Sequence, residues 1–464
     1  MKRKHSLDPY HLTANSFESA PRKWFGILRR IGPGLILTST VVGSGELVAT
    51  TVLGAENGYA LLWLILLSCT IKIVVQSELG RYAIGTGETT LEAFNRLPGP
   101  RFWVSWIIWL WLLVIIVGLF SIGGMLGGIS EIISTFLPGV SFKTSLWMLT
   151  IITMMLLVIG HYSLIERVAV SMVITFTLLT VACAFLLSQN PQYFSWESVI
   201  DGLKFTPPQG GLITAVTVFG ATGVGAIELI TYPYWCIEKG YARFAGKREN
   251  TLDWTKRAEG WIKIMGVDVL LSWFIYTFAT IAFYFLGAGI LSNLGLLPKG
   301  LDMVGTLSNM FTETLGNWSY YLFLIGSLAV LYSTVFSGIA GLSRMLADFT
   351  GMIGLYDKSH YRTRLKVIRI SSILLPILPT LLFLYYQEPV FMVKVSGVSQ
   401  ALLLPVVGLA TLYLRYFHLP KQILPKTWIT AALWTSTLIM LILMGYAVFY
   451  ELKLVIGFSS YRRF

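Results

Sequence analysis

The sequence predicts an all-α, multi-pass membrane protein built from two inverted repeats, and three observations predict it. Charge is scarce: 12% of the 464 residues are charged and 55% are hydrophobic, with a mean hydropathy of +0.70. A soluble domain carries roughly 25% charged residues, so this chain has too little charge to face water over most of its surface, and lipid must be its main solvent. Apolar runs long enough to cross about 30 Å of hydrocarbon recur along the whole length. A glycine motif bearing a glutamate occurs twice, five spans apart.

The elements follow in chain order. Residues 1–30 are polar and basic, lack a cleavable signal pattern and read as a cytoplasmic tail. Eleven spans are expected near 31–54, 60–84, 103–136, 145–163, 166–188, 212–237, 262–290, 319–347, 369–386, 392–414 and 428–450. The first repeat covers 31–188 and the second 212–414; 428–450 is an eleventh helix and 451–464 a tail. The third run is too long for one simple crossing and is expected to project from the bilayer after Gly123, Gly124, Gly127 and Gly128. The longest polar stretch, Lys239 to Trp261, reads as an amphipathic and mobile cytoplasmic loop.

Charge placement supports this order. With the N-terminus inside, 27 of the 35 Lys and Arg fall on the cytoplasmic side, 7 on the outer side, and Lys72 within a span. That asymmetry is the positive-inside signature. It turns the net charge of +12 into a topology signal rather than a nucleic-acid face. It also places a multi-pass protein in the plasma membrane, with the lipid bilayer as its surroundings; oligomeric state is not legible. Cys69, Cys183 and Cys236 sit in or against apolar runs and read as buried thiols, not a disulfide framework.

The repeated motif is Val42-Gly43-Ser44-Gly45-Glu46-Leu47 in the first span and Thr222-Gly223-Val224-Gly225-Ala226-Ile227-Glu228-Leu229-Ile230-Thr231 in the sixth. Five spans separate the copies, so the second runs oppositely through the bilayer, as in inverted-repeat transporters. Gly-x-Gly is where a helix can unwind, and unwound backbone at membrane depth must line a cavity or pack in protein. Freed carbonyls can bind a cation, and each following half-helix offers a positive end to a carboxylate. Glu46 and Glu228 are therefore the candidate metal ligands. Gly43, Ser44, Gly45, Gly223, Gly225, Ala226, Thr231 and Lys72 complete the candidate pathway. In a second reading both glutamates cap the half-helices and meet no substrate.

Several stretches resemble the natural resistance-associated macrophage protein family of divalent-metal transporters. They are Gly32-Pro33-Gly34-Leu35, Gly54-Ala55-Glu56-Asn57-Gly58-Tyr59-Ala60-Leu61-Leu62-Trp63, Gln76-Ser77-Glu78-Leu79-Gly80-Arg81 with Thr86-Gly87, and Gly220-Ala221-Thr222. Ser333-Thr334-Val335 and Leu404-Pro405 are similar to its eighth and tenth helices, and Asp268 matches an acid at the start of its seventh. The resemblance implies the leucine-transporter-like fold, a 5+5 inverted repeat with an eleventh transmembrane helix. Departures fall at the metal site. The family's Asp-Pro-Gly-Asn is replaced by Gly43, Ser44, Gly45 and Glu46, and its Met-Pro-His by Val224-Gly225-Ala226. Its third-helix acids fall near Val117 and Phe120.

Loss of the thioether leaves oxygen ligands, which suit magnesium or manganese, above all an ion that keeps part of its water. The expectation is alternating access of a small inorganic cation between the first and sixth helices, with that cation as substrate and no cofactor. Lys72 calls for a carboxylate partner such as Glu46 or Glu78, a water-filled cavity, or snorkelling. Glu131, Asp348 and Gln400 read as structural. The rivals are a same-fold carrier of a small organic solute and a sensor or scaffold that no longer transports. An enzyme is disfavoured because no metal-hydrolase, nucleophile-elbow or Walker pattern is present.

Overall fold

The computed structural model describes residues 8–12, 17–159, 162–205, 216–217, 219–358 and 360–461, apart from the side chains of 162–166, 168–170, 172–173 and 450–461. In chain order the helices are α1 (Trp24–Leu28), α2 (Pro33–Asn57), α3 (Leu62–Thr86), α4 (Thr90–Phe94), α5 (Trp106–Phe136), α6 (Phe142–Ile159), α7 (Tyr162–Leu187) and α8 (Trp196–Asp201). After a break come α9 (Ala226–Lys239), α10 (Tyr241–Ala245), α11 (Leu252–Leu294), α12 (Met303–Leu315), α13 (Ser319–Met352), α14 (Tyr361–Tyr386), α15 (Pro389–Phe417) and α16 (Thr427–Tyr461). A two-residue antiparallel pair, Arg101–Phe102 with Val104–Ser105, turns the chain into α5.

Among the described residues, nine helices are long and apolar enough to cross a membrane. The other two expected spans are the fifth and sixth. In α7 the described apolar part, Ile174–Leu187, is shorter than a span. The sixth span is divided: residues 219–221 are helical, 222–225 are not, and α9 resumes at Ala226. Residues 212–215, its expected start, lie outside the described residues.

The first span departs from expectation. It is not broken: α2 runs continuously and widens into a π-helix over Val42–Thr50. Thr50 Oγ1 donates to Gly45 O (2.9 Å) and Thr51 Oγ1 to Glu46 O (3.3 Å), each five residues back. The glycines serve close approach instead of unwinding. A Cβ at Gly43 would run into Thr334 of α13, and one at Gly45 would lie 2.5 Å from Ala221 O. The start of α2 is fixed by Asp268 of α11, whose carboxylate accepts the Gly32 N–H (2.7 Å) at the N-cap and the Gly34 N–H (2.6 Å) in the first turn.

One further expectation is corrected, that of a polar loop between the sixth and seventh spans. The glycines of α5 do not interrupt it: α5 is one continuous helix of 31 residues, and the space they leave is filled. Cβ atoms at Gly123 and Gly124 would each lie 2.7 Å from a carbonyl, of Pro379 and Pro389, and one at Gly127 would strike the Phe383 ring. The groove thus seats α14 and α15. The stretch Lys239 to Trp261 is helical over α10 and again from Leu252, where Thr251 Oγ1 caps the Trp254 N–H at 3.2 Å. Asp348 and Glu131 are structural, as expected. Asp348 is buried among Thr89, Tyr234, Lys358 and Arg364, and Glu131 accepts the Val304 and Gly305 N–H groups at the start of α12 (3.0 and 3.1 Å).

Candidate functional site

The break in the sixth span sets out the site. Gly223 adopts φ +61°, a left-handed conformation that favours glycine, and turns the chain between the two helical pieces. A broken helix leaves carbonyls on one side and N–H groups on the other, and each needs a partner at membrane depth. Lys72 supplies the first set: its buried Nζ donates to Phe219 O (2.5 Å) and Thr222 O (2.8 Å) and lies 4.8 Å from the Phe219 ring centroid. Ser68 Oγ reaches the same two carbonyls at 3.3 and 3.2 Å. Glu46 and Gln400 supply the second set. Glu46 Oε1 accepts the Gly223 N–H at 3.0 Å, and Gln400 Oε1 accepts the Ile227 N–H at 3.2 Å.

Lys72 therefore pairs with neither expected carboxylate. It sits at the negative end of the helical piece before the break, where a cation is favoured. Glu78 is taken by Arg81 and Arg415, both at 2.9 Å. Glu46 accepts from Gly223 through one oxygen and from Thr50 Oγ1 (3.0 Å) through the other, and is wholly buried.

Beside the break lie two adjoining spaces of about 50 Å³ and about 20 Å³. Six residues line both: Thr40 and Ser44 of α2, Ser121 of α5, Glu228 of α9, and Ser396 and Gln400 of α15. All six are polar. Thr231, Thr334 and Ser337 add hydroxyls to the larger space, while Gly45, Gly223 and Gly225 bring backbone to the smaller. Met125 lines the larger space, but none of the six shared residues carries sulfur. Among the described lining residues Glu228 is the sole charged group. It occupies the first turn of α9, at the positive end of that helix, and folds over Gly225, where a Cβ would come within 2.5 Å of its Oε2. Glu228 Oε2 and Ser396 Oγ are both buried without a hydrogen-bond partner.

The two glutamates thus do not share one chamber. Glu228 faces the polar space, whereas Glu46 is turned toward the break and lines neither space, because both its oxygens hold other groups. Gly43, Ala226 and Lys72 also stay outside the lining; Ser44, Gly45, Gly223, Gly225 and Thr231 belong to it. Ser121 and Ser396 are additions, and Gln400, read from the sequence as structural, lines both spaces as well. The signal for the last two was present as polar positions four apart in an apolar span, which places them on one helical face. Among the described residues, no three His, Cys, Asp or Glu side chains converge on one point.

Comparisons with known proteins agree with this architecture. The sequence profile of the natural resistance-associated macrophage protein-like family matches residues 34–450. The metal transporter Nramp3 of Oryza sativa subsp. japonica is 24% identical over 329 residues, spanning 68% of this chain and 55% of that protein. The Eremococcus coleocola manganese transporter, solved with an aromatic bis-isothiourea substituted compound, superposes with a TM-score of 0.65 at 16% identity, covering 93% of this chain and 88% of that one. The nucleobase-cation-symport-1 transporter Mhp1, closed around bromovinylhydantoin, gives 0.58 at 14% identity over 95% of this chain and 96% of that one. The fold is accordingly leucine-transporter-like, two inverted repeats of five helices with an eleventh appended. With the profile spanning most of its length, the chain belongs to the natural resistance-associated macrophage protein-like family, a transporter and not an enzyme.

Proposed function

We propose that the protein carries a hard divalent cation, magnesium or manganese, across the membrane by alternating access at the break in the sixth span. One observation carries the reading: an unpartnered, buried carboxylate oxygen faces a polar space whose other lining groups are neutral. A fixed negative charge in a low-dielectric wall favours a cation there. Hydroxyls, an amide and backbone oxygens are hard ligands, and a single carboxylate suits an ion that retains most of its hydration shell. The larger space is consistent with that. At about 50 Å³ it holds roughly three to five waters at ~10–15 Å³ each, far below the ~300 Å³ lower bound for organic-ligand pockets. The names of the metal and manganese transporters that the chain resembles point the same way.

Glu228 is the group that meets the ion, with Ser396, Gln400 and Ser44 beside it. Lys72 and Glu46 hold the break, so that α9 can tilt without exposing bare backbone. Movement of 31–188 against 212–414 supplies the alternation, with the N-terminus on the cytoplasmic side of the plasma membrane, as the charge asymmetry favours. The test is influx of Mg²⁺ and Mn²⁺ into proteoliposomes, read by an entrapped indicator. Wild type is expected to take up at least one ion saturably, and Glu228→Gln to lower uptake by about tenfold or more, the weight of ~1.4 kcal/mol. No uptake of either ion by wild type, or equal uptake by Glu228→Gln, would overturn the reading.

A further inference from the structure

Far from the break, a groove of about 660 Å³ runs between residues 17–22 and the first turns of α11. Four basic side chains line it, Arg22, Lys256, Arg257 and Lys263, against one acid, Asp253. Lys256 and Lys263 are seven residues apart on α11 and so share a helical face. Arg22, Lys256 and Lys263 are exposed, and none forms an ion pair among the described residues. Unpaired basic side chains lining a concave surface attract a phosphate-bearing anion.

The opposite wall is held in place. Glu18 N–H donates to Phe244 O at 2.9 Å, and the Trp261 indole N–H donates to Glu18 O at 2.7 Å. The Arg257 guanidinium stacks 4.5 Å from the Phe17 ring centroid. Gly260 admits Ala20, whose Cβ would lie 2.7 Å from a Cβ placed there. The groove is thus built from both sides.

A second feature adjoins it. Helix α1 begins two residues after Arg22 and buries none of its residues. Trp24, Phe25 and Leu28 are 59%, 81% and 38% exposed, with Lys23 and Arg29 among them. Bare aromatic and aliphatic side chains interleaved with basic ones are the composition of a segment lying in the membrane–water interface. A free phosphate in water has no use for that ridge; a lipid has use for both parts.

We propose that this groove binds the headgroup of an anionic phospholipid, in the leaflet on the N-terminal side of the protein. The headgroup phosphate lies among Arg22, Lys256 and Lys263, and the acyl chains leave along the ridge of Trp24, Phe25 and Leu28. Basic pockets beside membrane helices are a recurrent form of such recognition. The inference does not depend on which ion the protein carries.

The test uses the full-length chain in neutral detergent, with its thermal unfolding midpoint followed during titration with three probes: dioctanoyl phosphatidylglycerol, dioctanoyl phosphatidylcholine and inorganic phosphate. Phosphatidylglycerol is expected to raise the midpoint saturably, and the other two to leave it unchanged. In Arg22→Gln/Lys256→Gln/Lys263→Gln the lipid-free midpoint should hold while apparent affinity falls about a hundredfold, at roughly fivefold per basic residue near an anionic surface. An undiminished response in that variant, an equal response to inorganic phosphate, or no response of wild type to phosphatidylglycerol each overturns the proposal. Should the triple variant fail to fold, Trp24→Ser/Phe25→Ser removes the ridge instead; weakened phosphatidylglycerol binding supports the proposal, and unchanged binding overturns it.

Discussion

Lys72 carries a charge into the centre of the molecule and spends it on backbone. Its ammonium closes two carbonyls that the broken helix leaves open, and hydrogen bonds to a charged group are worth about 1.5–3 kcal/mol each. Lys72→Met should therefore lower the thermal unfolding midpoint, with a loss on the order of 1–3 kcal/mol, because the single Ser68 hydroxyl proton can serve only one of the two carbonyls at a time; an unchanged midpoint would mean that Ser68 and water take over both. The two glutamates separate by the same reasoning. Glu46→Gln keeps an oxygen for the Gly223 N–H, so uptake into proteoliposomes should fall by less than about fivefold, ~1 kcal/mol, while Glu228→Gln loses about tenfold or more. Equal losses would place both carboxylates on the ion. Glu228 was legible in the sequence because an intramembrane carboxylate is costly without a purpose. That Glu46 faces away from the polar space was not legible, because the direction of a side chain depends on the local winding, and a π-turn rotates every later residue. Ser396 was missed for a different reason: taken alone, one hydroxyl in an apolar helix looks the same whether it lines a cavity or bonds its own backbone, and only its pairing with Gln400 four residues on marks the face.

At the level of elements, glycine did two jobs that composition alone does not distinguish. Gly223 marks a true break because its dihedrals are left-handed, whereas Gly43 and Gly45 keep α2 helical and let α13 and the sixth span approach it. The reading of two broken helices was therefore half met: the motif recurs, but only the copy whose N–H and carbonyl groups find side-chain partners unwinds. The same small-residue logic governs α5. The atoms nearest a Cβ at Gly127 all belong to the Phe383 ring, which makes the contact separable. Gly127→Ala should destabilise by about 1–3 kcal/mol through overpacking. Phe383→Leu, which withdraws the ring, should recover part of that loss, giving a coupling energy of at least ~0.5 kcal/mol in a double-mutant cycle. Strict additivity in thermal unfolding would show that α14 does not seat on that glycine.

On the scale of the whole molecule, nine of the eleven expected spans are, among the described residues, helices long and apolar enough to cross a membrane; they were readable because bilayer thickness acts on sequence directly. The shape of the central space was not, since its wall is gathered from α2, α5, α9, α13 and α15, and no local pattern records which faces meet. Alternating access predicts that this wall is reached from the two membrane sides in turn, and one position is suited to report it. Gly338 lines the larger space, and a Cβ there meets nothing within 4 Å, so Gly338→Cys places a thiol in the space without repacking. The native Cys69, Cys183 and Cys236 are all buried and should stay silent toward a hydrophilic maleimide in the folded protein. Labelling of Gly338→Cys in proteoliposomes is expected from either side, and saturating Mg²⁺ or Mn²⁺ should slow it by about tenfold or more as the ion fills the space and biases the two states, a shift of ~1.4 kcal/mol. With Glu228→Gln added, labelling should continue at its ion-free rate even in saturating ion, because the charge that gives the ion a preference is gone. Protection that persists in the double variant would put the ion elsewhere, and a thiol reachable from one side only under every condition would exclude alternation about this space.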